Sequence, residues 1–171
     1  MKKSVLLIAF MLIASLTASA QKFALIDMEY ILKNIPAYER ANEQLNQISQ
    51  KYQGEVEALG KEAQKLYQDY QTTASSLNEK QKSEKENAII AKEKETNDLK
   101  RTYFGPEGEM YKLREKLIKP IEDQIYNAVK DVSEQNDYSV VVDRASATSI
   151  IYATPRIDIS NEVLAKLGYS N

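Results

Sequence analysis

Two aspartates are the residues best placed to do chemistry, since each follows a short apolar run that predicts a β-strand. Asp27 ends the run at residues 23–26 and Asp143 ends the run at residues 138–142. Paired carboxylates can act as general acid and base or hold a metal ion, but strand-end aspartates more often accept hydrogen bonds from turn amides. The sequence has no histidine and no cysteine, so the commonest general base, the thiolate nucleophile and the preferred zinc ligands are missing. We predict that the protein is not an enzyme and uses no cofactor.

A basic cluster is the second candidate site. It consists of Lys112, Arg114, Lys116 and Lys119. Such a cluster could bind the phosphates of lipopolysaccharide or the anionic headgroups of a membrane surface. The alternative is a solvated helix face, which is the commoner outcome for a charge run that also contains an acid such as Glu115.

The first twenty residues have the pattern of a secretory signal peptide. Lys2 and Lys3 give a positive start, residues 5–16 are apolar, and an Ala-Ser-Ala cleavage site ends at Ala20. The apolar run is shorter than the ~20 residues that span a bilayer, which favours cleavage over a membrane anchor. We therefore expect a protein that is exported and cleaved after Ala20.

The mature chain is acidic. Removal of the two leader lysines leaves 21 of the 23 basic residues against 25 acidic ones, a formal net charge of −4. This balance does not favour nucleic acid as a partner. Without cysteine, an exported chain of this size must be stabilised by packing or by self-association.

A long coiled-coil helix is predicted from residue 38 to residue 70, because apolar residues recur there at intervals of three and four. These seam residues are Ala41, Leu45, Ile48, Tyr52, Val56, Leu59, Ala63, Leu66 and Tyr70. Threonines and serines at residues 72–76 end the pattern, and the sequence Ser76-Leu77-Asn78-Glu79 has the form of a capping box. We predict a helical hairpin over residues 37–136 that turns near residues 72–78.

The returning helix is predicted to be much more polar than the outgoing one. Its main apolar residues are Ala88, Ile89, Ile90, Ala91 and Leu99. The sequence Gly-Pro-Glu-Gly at residues 105–108 should break this helix, as a kink or a hinge. A strong helical stripe then resumes and runs to Val132, and Pro120 should bend it.

Strand segments at both ends of the mature chain predict a small β-rich body over residues 21–36 and 137–171. Residues 149–153 are predicted to form a hairpin with the strand at residues 138–143. Ser160 is predicted to cap a last short helix that ends at Lys166. A core this small favours oligomerisation. The residues assigned to this oligomerisation body are Phe23, Leu25, Ile26, Val140, Val141, Val142, Ile150 and Ile151.

The order of these segments resembles the Skp family, also called OmpH-like proteins. The resemblance covers essentially the whole mature chain and is carried by residues 23–28, 120–130, 140–143 and 157–164. It implies an α+β fold in which a long α-helical coiled-coil hairpin projects from a small β body. It also implies a periplasmic homotrimer whose hairpins enclose a cavity. By the same resemblance, the cavity is expected to hold unfolded outer-membrane proteins without ATP and so to prevent their aggregation.

Four residues of the hairpin are candidates for contact with such clients. They are Tyr67, Tyr103, Ile89 and Ile90. A tyrosine ring with a polar tip tolerates both water and an unfolded apolar chain. The alternative function is a structural coiled-coil scaffold of the cell envelope that binds a folded partner. Helical periodicity does not distinguish these two functions, because both require long hairpins.

Overall fold

The computed structural model describes residues 21–169, and the predicted signal peptide lies outside the described residues. The protein is mostly helical with a small two-stranded sheet, which confirms the predicted α+β class. The elements in chain order are β1 (Lys22–Ile26), α1 (Met28–Lys33), α2 (Pro36–Thr73), a 3₁₀ turn (Ala74–Ser76), α3 (Glu79–Phe104), α4 (Glu109–Leu117), α5 (Lys119–Asn136), β2 (Tyr138–Asp143), a second 3₁₀ turn (Pro155–Ile157) and α6 (Ser160–Lys166).

The chain divides into two compact units. We call residues 21–34 and 125–169 the sheet unit, and residues 35–124 the hairpin unit. In the sheet unit, β1 and β2 pair in parallel, with Phe23 opposite Val140 and Ile26 opposite Asp143. The prediction that residues 149–153 pair with β2 as a hairpin is wrong, because β1 is the neighbour of β2 and residues 150–154 form no strand.

A turn directly after β2 explains why no hairpin forms. The backbone amide of Ala147 donates to the carbonyl of Asp143 at 3.1 Å, and the hydroxyl of Ser146 donates to the same carbonyl at 3.3 Å. These hydrogen bonds form a turn, so the chain does not continue as the second strand of a β-hairpin. Asp158 takes the remaining place beside β1 through a parallel bridge to Leu25.

The core of the sheet unit contains fully buried branched side chains. The largest of these are Ile31, Ile125, Ile159 and Val163. The prediction that Ser160 caps the last helix is wrong, because the helix starts at Ser160 and its cap residue is Ile159. The Ser160 hydroxyl instead accepts from the amide of Asp27 at 2.8 Å and donates to Asp158 Oδ1 at 2.6 Å. Its hydrogen bonds therefore join distant segments instead of closing a helix end.

The hairpin unit turns at the 3₁₀ segment and at Asn78. The capping box predicted at Ser76 and Glu79 is wrong, because the turn itself uses Ser76, whose hydroxyl donates to the carbonyl of Thr73 at 2.8 Å. Asn78 caps α3 instead: its side chain accepts from the amide of Gln81 at 2.9 Å, and the Gln81 side chain accepts from the amide of Asn78 at 3.0 Å. The same reciprocal chemistry therefore occurs two residues later.

The seam of α3 differs from the sequence expectation. Of the four consecutive apolar residues 88–91, only Ile89 is buried, and Ala88, Ile90 and Ala91 are exposed. The side of α3 that is buried or half-buried recurs at alternating intervals of three and four. It consists of Lys82, Lys85, Ile89, Lys92, Thr96, Leu99 and Tyr103. The aliphatic stems of lysines therefore form much of the packing surface, with their ammonium groups reaching water or carboxylates such as Glu62.

The predicted break at residues 105–108 is confirmed, since α3 ends at Phe104 and α4 begins at Glu109. The glycines permit a close approach of backbone to backbone. A Cβ atom on Gly105 would lie 2.4 Å from the carbonyl oxygen of Arg101, and one on Gly108 would lie 2.7 Å from that of Thr102. The bend predicted at Pro120 is a boundary between α4 and α5, and Pro120 occupies the first turn of α5.

Candidate functional site

The two strand-end aspartates are used by the fold of the sheet unit. Asp27 Oδ1 accepts from the amide of Tyr30 at 2.8 Å, and Asp27 Oδ2 pairs with Arg144 at 3.1 Å. Asp143 Oδ1 accepts from the amides of Met28 at 3.0 Å and Ala145 at 3.1 Å. The carboxylates therefore hold turns and strand ends in place, which is the structural alternative stated above.

The ionisation of Asp143 fits this structural role. Burial alone would raise the pKa of Asp143, but the amide of Met28 and the donors of Ser146 and Ala145 outweigh it and lower the pKa below its ordinary value. A carboxyl with a lowered pKa stays ionised and accepts hydrogen bonds. Within residues 21–169, no group of three or more acidic, histidine or cysteine side chains is arranged to hold a metal ion.

Most of the predicted basic cluster forms local ion pairs. Lys112 pairs with Glu109 at 3.1 Å, and Lys119 pairs with Asp123 at 3.1 Å. Arg114 reaches Glu122 at 3.2 Å, while Lys116 is exposed on α4. The hydrogen bond to Asp123 raises the pKa of Lys119. Exposed pairs of this kind contribute little energy and offset the local positive charge, which favours a solvated helix face over an anion site.

Tyr103 belongs to an aromatic cluster beside the helix break. Its ring stacks on Tyr52 with centroids 3.8 Å apart and planes within 5°, and Phe104 meets both rings edge-on at 6.4 Å. Its hydroxyl donates to Glu55, and this hydrogen bond raises the pKa of Tyr103. The ring of this predicted client contact is thus engaged in packing α3 against α2, and its partner Phe104 was not singled out by the sequence pattern.

The neighbouring isoleucines of α3 have opposite environments. Ile89 lies in the seam and is only 7% exposed, so it presents almost no surface to a partner. Ile90 is 61% exposed, and Tyr67 on α2 is 49% exposed. Of the four predicted client contacts, Tyr67 and Ile90 are therefore the two with substantial accessible apolar surface.

Tyr67 borders an open notch on one side of the hairpin, with a volume of about 440 Å³. We call it the Tyr67 notch, and its lining residues are Gly60, Ala63, Gln64, Tyr67, Glu93, Thr96 and Asn97. Ile90 lies three residues before Glu93 and seven before Asn97, which puts it on the same face of α3. Tyr67 therefore lines the notch, and Ile90 continues the exposed apolar surface along the same face of α3.

Of the seven residues that line the notch, only Tyr67 is among the predicted client contacts, and Gly60 is one of those that the sequence pattern did not identify. A Cβ atom placed there would meet only the Thr96 Cγ2 methyl, at 3.8 Å, so the space beside the helix is open. A glycine inside a helix destabilises it by roughly 1 kcal/mol relative to alanine. Gly60 lies four residues before Gln64 and seven before Tyr67, on the same face of the helix. An unfavourable glycine at this spacing is the sequence signal that could have indicated the notch.

The residues predicted for oligomerisation fall into two groups. Leu25 and Ile26 are buried within the sheet unit, and Val141, Val142 and Ile150 are half-buried. The exposed group consists of Phe23 at 52%, its partner across the strands Val140, and the fully exposed Ile151, with Tyr152 beside it. Large apolar side chains on a sheet of only two strands leave an apolar surface open to a partner.

Comparison with known proteins places the chain in a family. The sequence model described as "Outer membrane protein (OmpH-like)" matches residues 22–167. A relative named chaperone protein Skp, from Yersinia enterocolitica, is 27% identical over 156 residues, which cover 91% of this chain and 92% of the relative.

A solved structure agrees with this assignment at the level of the fold. The OmpH-like outer membrane chaperone of Caulobacter crescentus has a TM-score of 0.63 with 13% identity, over 87% of this chain and 85% of that one. Among the helices of residues 21–169, none has the length and apolar character needed to cross a bilayer. The resemblance to the Skp family is therefore confirmed, and the chain belongs to the OmpH-like family of outer membrane chaperones.

Proposed function

We propose that this protein is an ATP-independent holdase of the periplasm that binds unfolded outer-membrane proteins and prevents their aggregation. The observation that carries the proposal is the exposed face around the Tyr67 notch, on the hairpin of a chain that belongs to a chaperone family. Tyr67 and Ile90 offer apolar surface there without contributing to the seam.

The chemistry of this face suits an unfolded barrel strand. Such strands alternate apolar and polar residues, and before insertion their apolar side lacks a partner. Burial of the client's apolar side chains against Tyr67 and Ile90 would remove apolar area from water. Each Å² removed favours binding by about 25 cal/mol. Because each contact is small, many together can hold a client, while loss of a few permits release.

Self-association completes the proposal. A sheet of two strands is marginal by itself, and the exposed pair Phe23 and Val140 would be buried if neighbouring copies extended it. We propose a homotrimer formed through these residues together with Ile151. Light scattering measures the mass directly. The exchange Val140→Lys should yield a folded, lighter species, whereas a wild-type monomer would argue against a trimer.

The holdase activity is tested by dilution of a urea-denatured β-barrel protein into buffer with the purified chaperone and no nucleotide. We expect the barrel protein to stay soluble at a near-equimolar ratio to the trimer. Precipitation as fast as in buffer alone would contradict the proposal. A scaffold protein would instead co-purify from cells with one folded partner, where a holdase would co-purify with many barrel proteins.

The contact face is tested by Tyr67→Ser combined with Ile90→Ser. We expect a several-fold lower capacity to keep the barrel protein soluble, with unchanged helical content by circular dichroism. Tyr111→Ser is the matched control, because Tyr111 on α4 is 51% exposed and does not line the notch. An equal loss in the control would assign the effect to exposed tyrosines in general and not to this face.

A further inference from the structure

We propose that the Tyr67 notch binds the guanidinium group of an arginine side chain in an extended client segment, with Glu93 as its ion-pair partner and Tyr67 as its stacking surface. This inference rests on the proposed holdase function and specifies what one part of its contact face recognises. The notch belongs entirely to the hairpin unit, between α2 and α3.

The shape of the notch provides room for a long side chain. Gly60 and Ala63 leave the surface of α2 without bulky groups, and the methyl of Thr96 lies nearest to the missing side chain of Gly60. Gly54 lies in the same helix but does not line the notch. A Cβ atom on Gly54 would have no neighbour within 4 Å. Free space beside a glycine therefore does not form a notch by itself. The notch forms at Gly60 because residues of α3 line its other side.

The charge of the notch favours a cation. Glu93 carries the only formal charge among the residues that line it. Within residues 21–169, no lysine or arginine nitrogen pairs with the Glu93 carboxylate at ion-pair distance. Neighbouring Glu95 differs, since it pairs with Lys92 at 2.9 Å. A client cation would give Glu93 the ion-pair partner that residues 21–169 do not supply.

The groove on the opposite side of the hairpin has a different charge pattern. It is lined by Leu59, Ala91, Lys94, Glu95, Asp98, Leu99 and Thr102. Lys94 contributes a positive charge there, Glu95 is already paired with Lys92, and Asp98 is a second acid. The net formal charge of the two sites is therefore the same, but the opposite groove contains a lysine and no aromatic ring, whereas the notch combines the Glu93 carboxylate with the Tyr67 ring.

The remaining groups of the notch favour arginine over lysine. A guanidinium is planar, stacks on aromatic faces and offers five donors in a fixed fork, whereas an ammonium is compact and strongly hydrated. Tyr67 supplies an aromatic ring, and the side-chain oxygens of Gln64 and Asn97 are additional acceptors around Glu93. One arginine can therefore stack and donate to several acceptors at once.

Ile90 extends this recognition along the client chain. In an extended peptide, side chains two residues apart point to the same side and lie about 7 Å apart. Ile90 is nearly one helical turn from Glu93 on the same face, or about 5 Å along α3. A segment with an apolar residue two positions from its arginine can thus contact Glu93 and Ile90 together.

Direct peptide binding tests the inference. The probes are three fluorescein-labelled peptides of about ten residues, the length of a barrel strand, with alternating apolar residues and a central arginine, lysine or citrulline. Citrulline keeps the shape of arginine without its charge. By fluorescence anisotropy with the purified full protein, we expect the arginine peptide to bind about fivefold more tightly than the citrulline peptide, with the lysine peptide between them.

Four variants locate the effect. Glu93→Gln should abolish the preference for arginine over citrulline, and Gly60→Leu should weaken the arginine peptide about fivefold by filling the notch. Asp98→Asn is the charge control, an exposed acid of the same helix in the opposite groove. Gly54→Leu is the control for Gly60→Leu, because it makes the same change in helix propensity outside the notch.

The outcomes separate this inference from the proposed function. Equal affinity for arginine and citrulline peptides, or equal effects in the controls, would overturn the arginine site. If the barrel protein nevertheless stays soluble, the holdase proposal stands without it. If the barrel protein precipitates as in buffer while the arginine preference is present, the site is real and the holdase proposal fails.

Discussion

The sheet unit and the hairpin unit are stabilised in different ways. In the sheet unit, Ile31, Ile125 and Val163 are fully buried, and an Arg144 side chain links Asp27 and Asp158. The hairpin unit is longer but has six buried apolar side chains against ten in the sheet unit, and only Ala41, Ala63 and Ile89 of these six lie in α2, α3 and α4. The sheet unit therefore concentrates apolar burial, while most of the hairpin remains surface. A region with little burial opens locally at low free energy, which is what the proposed holdase function would require of its contact face.

Ile125→Ala and Ile90→Ala test this comparison most strongly. Removal of the buried Ile125 side chain should lower the free energy of unfolding by about 3 kcal/mol, because transfer and cavity terms add. The same exchange at the exposed Ile90 should change it by less than about 0.5 kcal/mol. Urea unfolding followed by circular dichroism measures both. Similar losses at the two positions would show that the hairpin is as tightly packed as the sheet unit.

Gly105→Ala tests whether the backbone geometry of the helix break at residues 105–108 is strict. The new Cβ would lie 2.4 Å from the carbonyl oxygen of Arg101, so the backbone must shift, at roughly 2 kcal/mol. Gly54→Ala is the control, because it meets no atom and should stabilise α2 by roughly 1 kcal/mol. Thermal unfolding should therefore shift in opposite directions. A neutral Gly105→Ala variant would mean that the break is loose.

Asp143→Asn should remove a pH dependence that Asp143 gives to the stability of the sheet unit. The folded pKa of Asp143 is lowered, so its stabilisation is complete above the ordinary value of 3.8 and is lost as pH falls through the lower folded pKa. At neutral pH the variant should lose about 1 kcal/mol, since the amide still accepts hydrogen bonds but carries no charge. The difference from wild type should disappear in strong acid. Urea titrations across this pH range provide the measurement, and a constant difference would contradict the assigned cause.

The helices of the hairpin show which packing can be predicted from a sequence. In α2, apolar residues such as Tyr52 and Val56 form the seam, so their spacing indicates it directly. In α3, lysines such as Lys85 and Lys92 occupy half-buried seam positions. A hydropathy pattern records their charge but not the aliphatic stem that packs. The seam of α3 is consequently visible only when the partner helix is in place.

Strand pairing was less predictable than the strands themselves. The apolar and β-branched residues of β1 and β2 predict the two strands, but the sequence also predicts that residues 149–153, the nearest apolar segment, pair with β2. The actual neighbour of β2 is more than a hundred residues away, and it is fixed by bonds such as that from the Met28 amide to Asp143. Tertiary contacts of this separation leave no local periodicity.

The part of the candidate site that can be predicted from the sequence is the residue that departs from the coiled-coil spacing. Tyr67 falls outside the coiled-coil spacing and is exposed, whereas Tyr52 fits the spacing and packs on Tyr103. Ile89 and Ile90 could not be distinguished, because both are isoleucines and the α3 seam was not visible. The space beside Gly60 depends on Thr96 and Asn97 of the opposite helix, so no single segment encodes it.

Lys85→Leu should have the smallest effect and should narrow the difference between the two units. Lys85 is half-buried in the α3 seam, and a leucine there would bury apolar surface without an ammonium group. We expect a gain of about 0.5 kcal/mol in the free energy of unfolding and slower amide exchange in the neighbouring turns. Lys80→Leu is the control, because the Lys80 side chain is 86% exposed and lies outside the seam. If both variants gain equally, the effect comes from the loss of a lysine, and the α3 seam does not limit the stability of the hairpin.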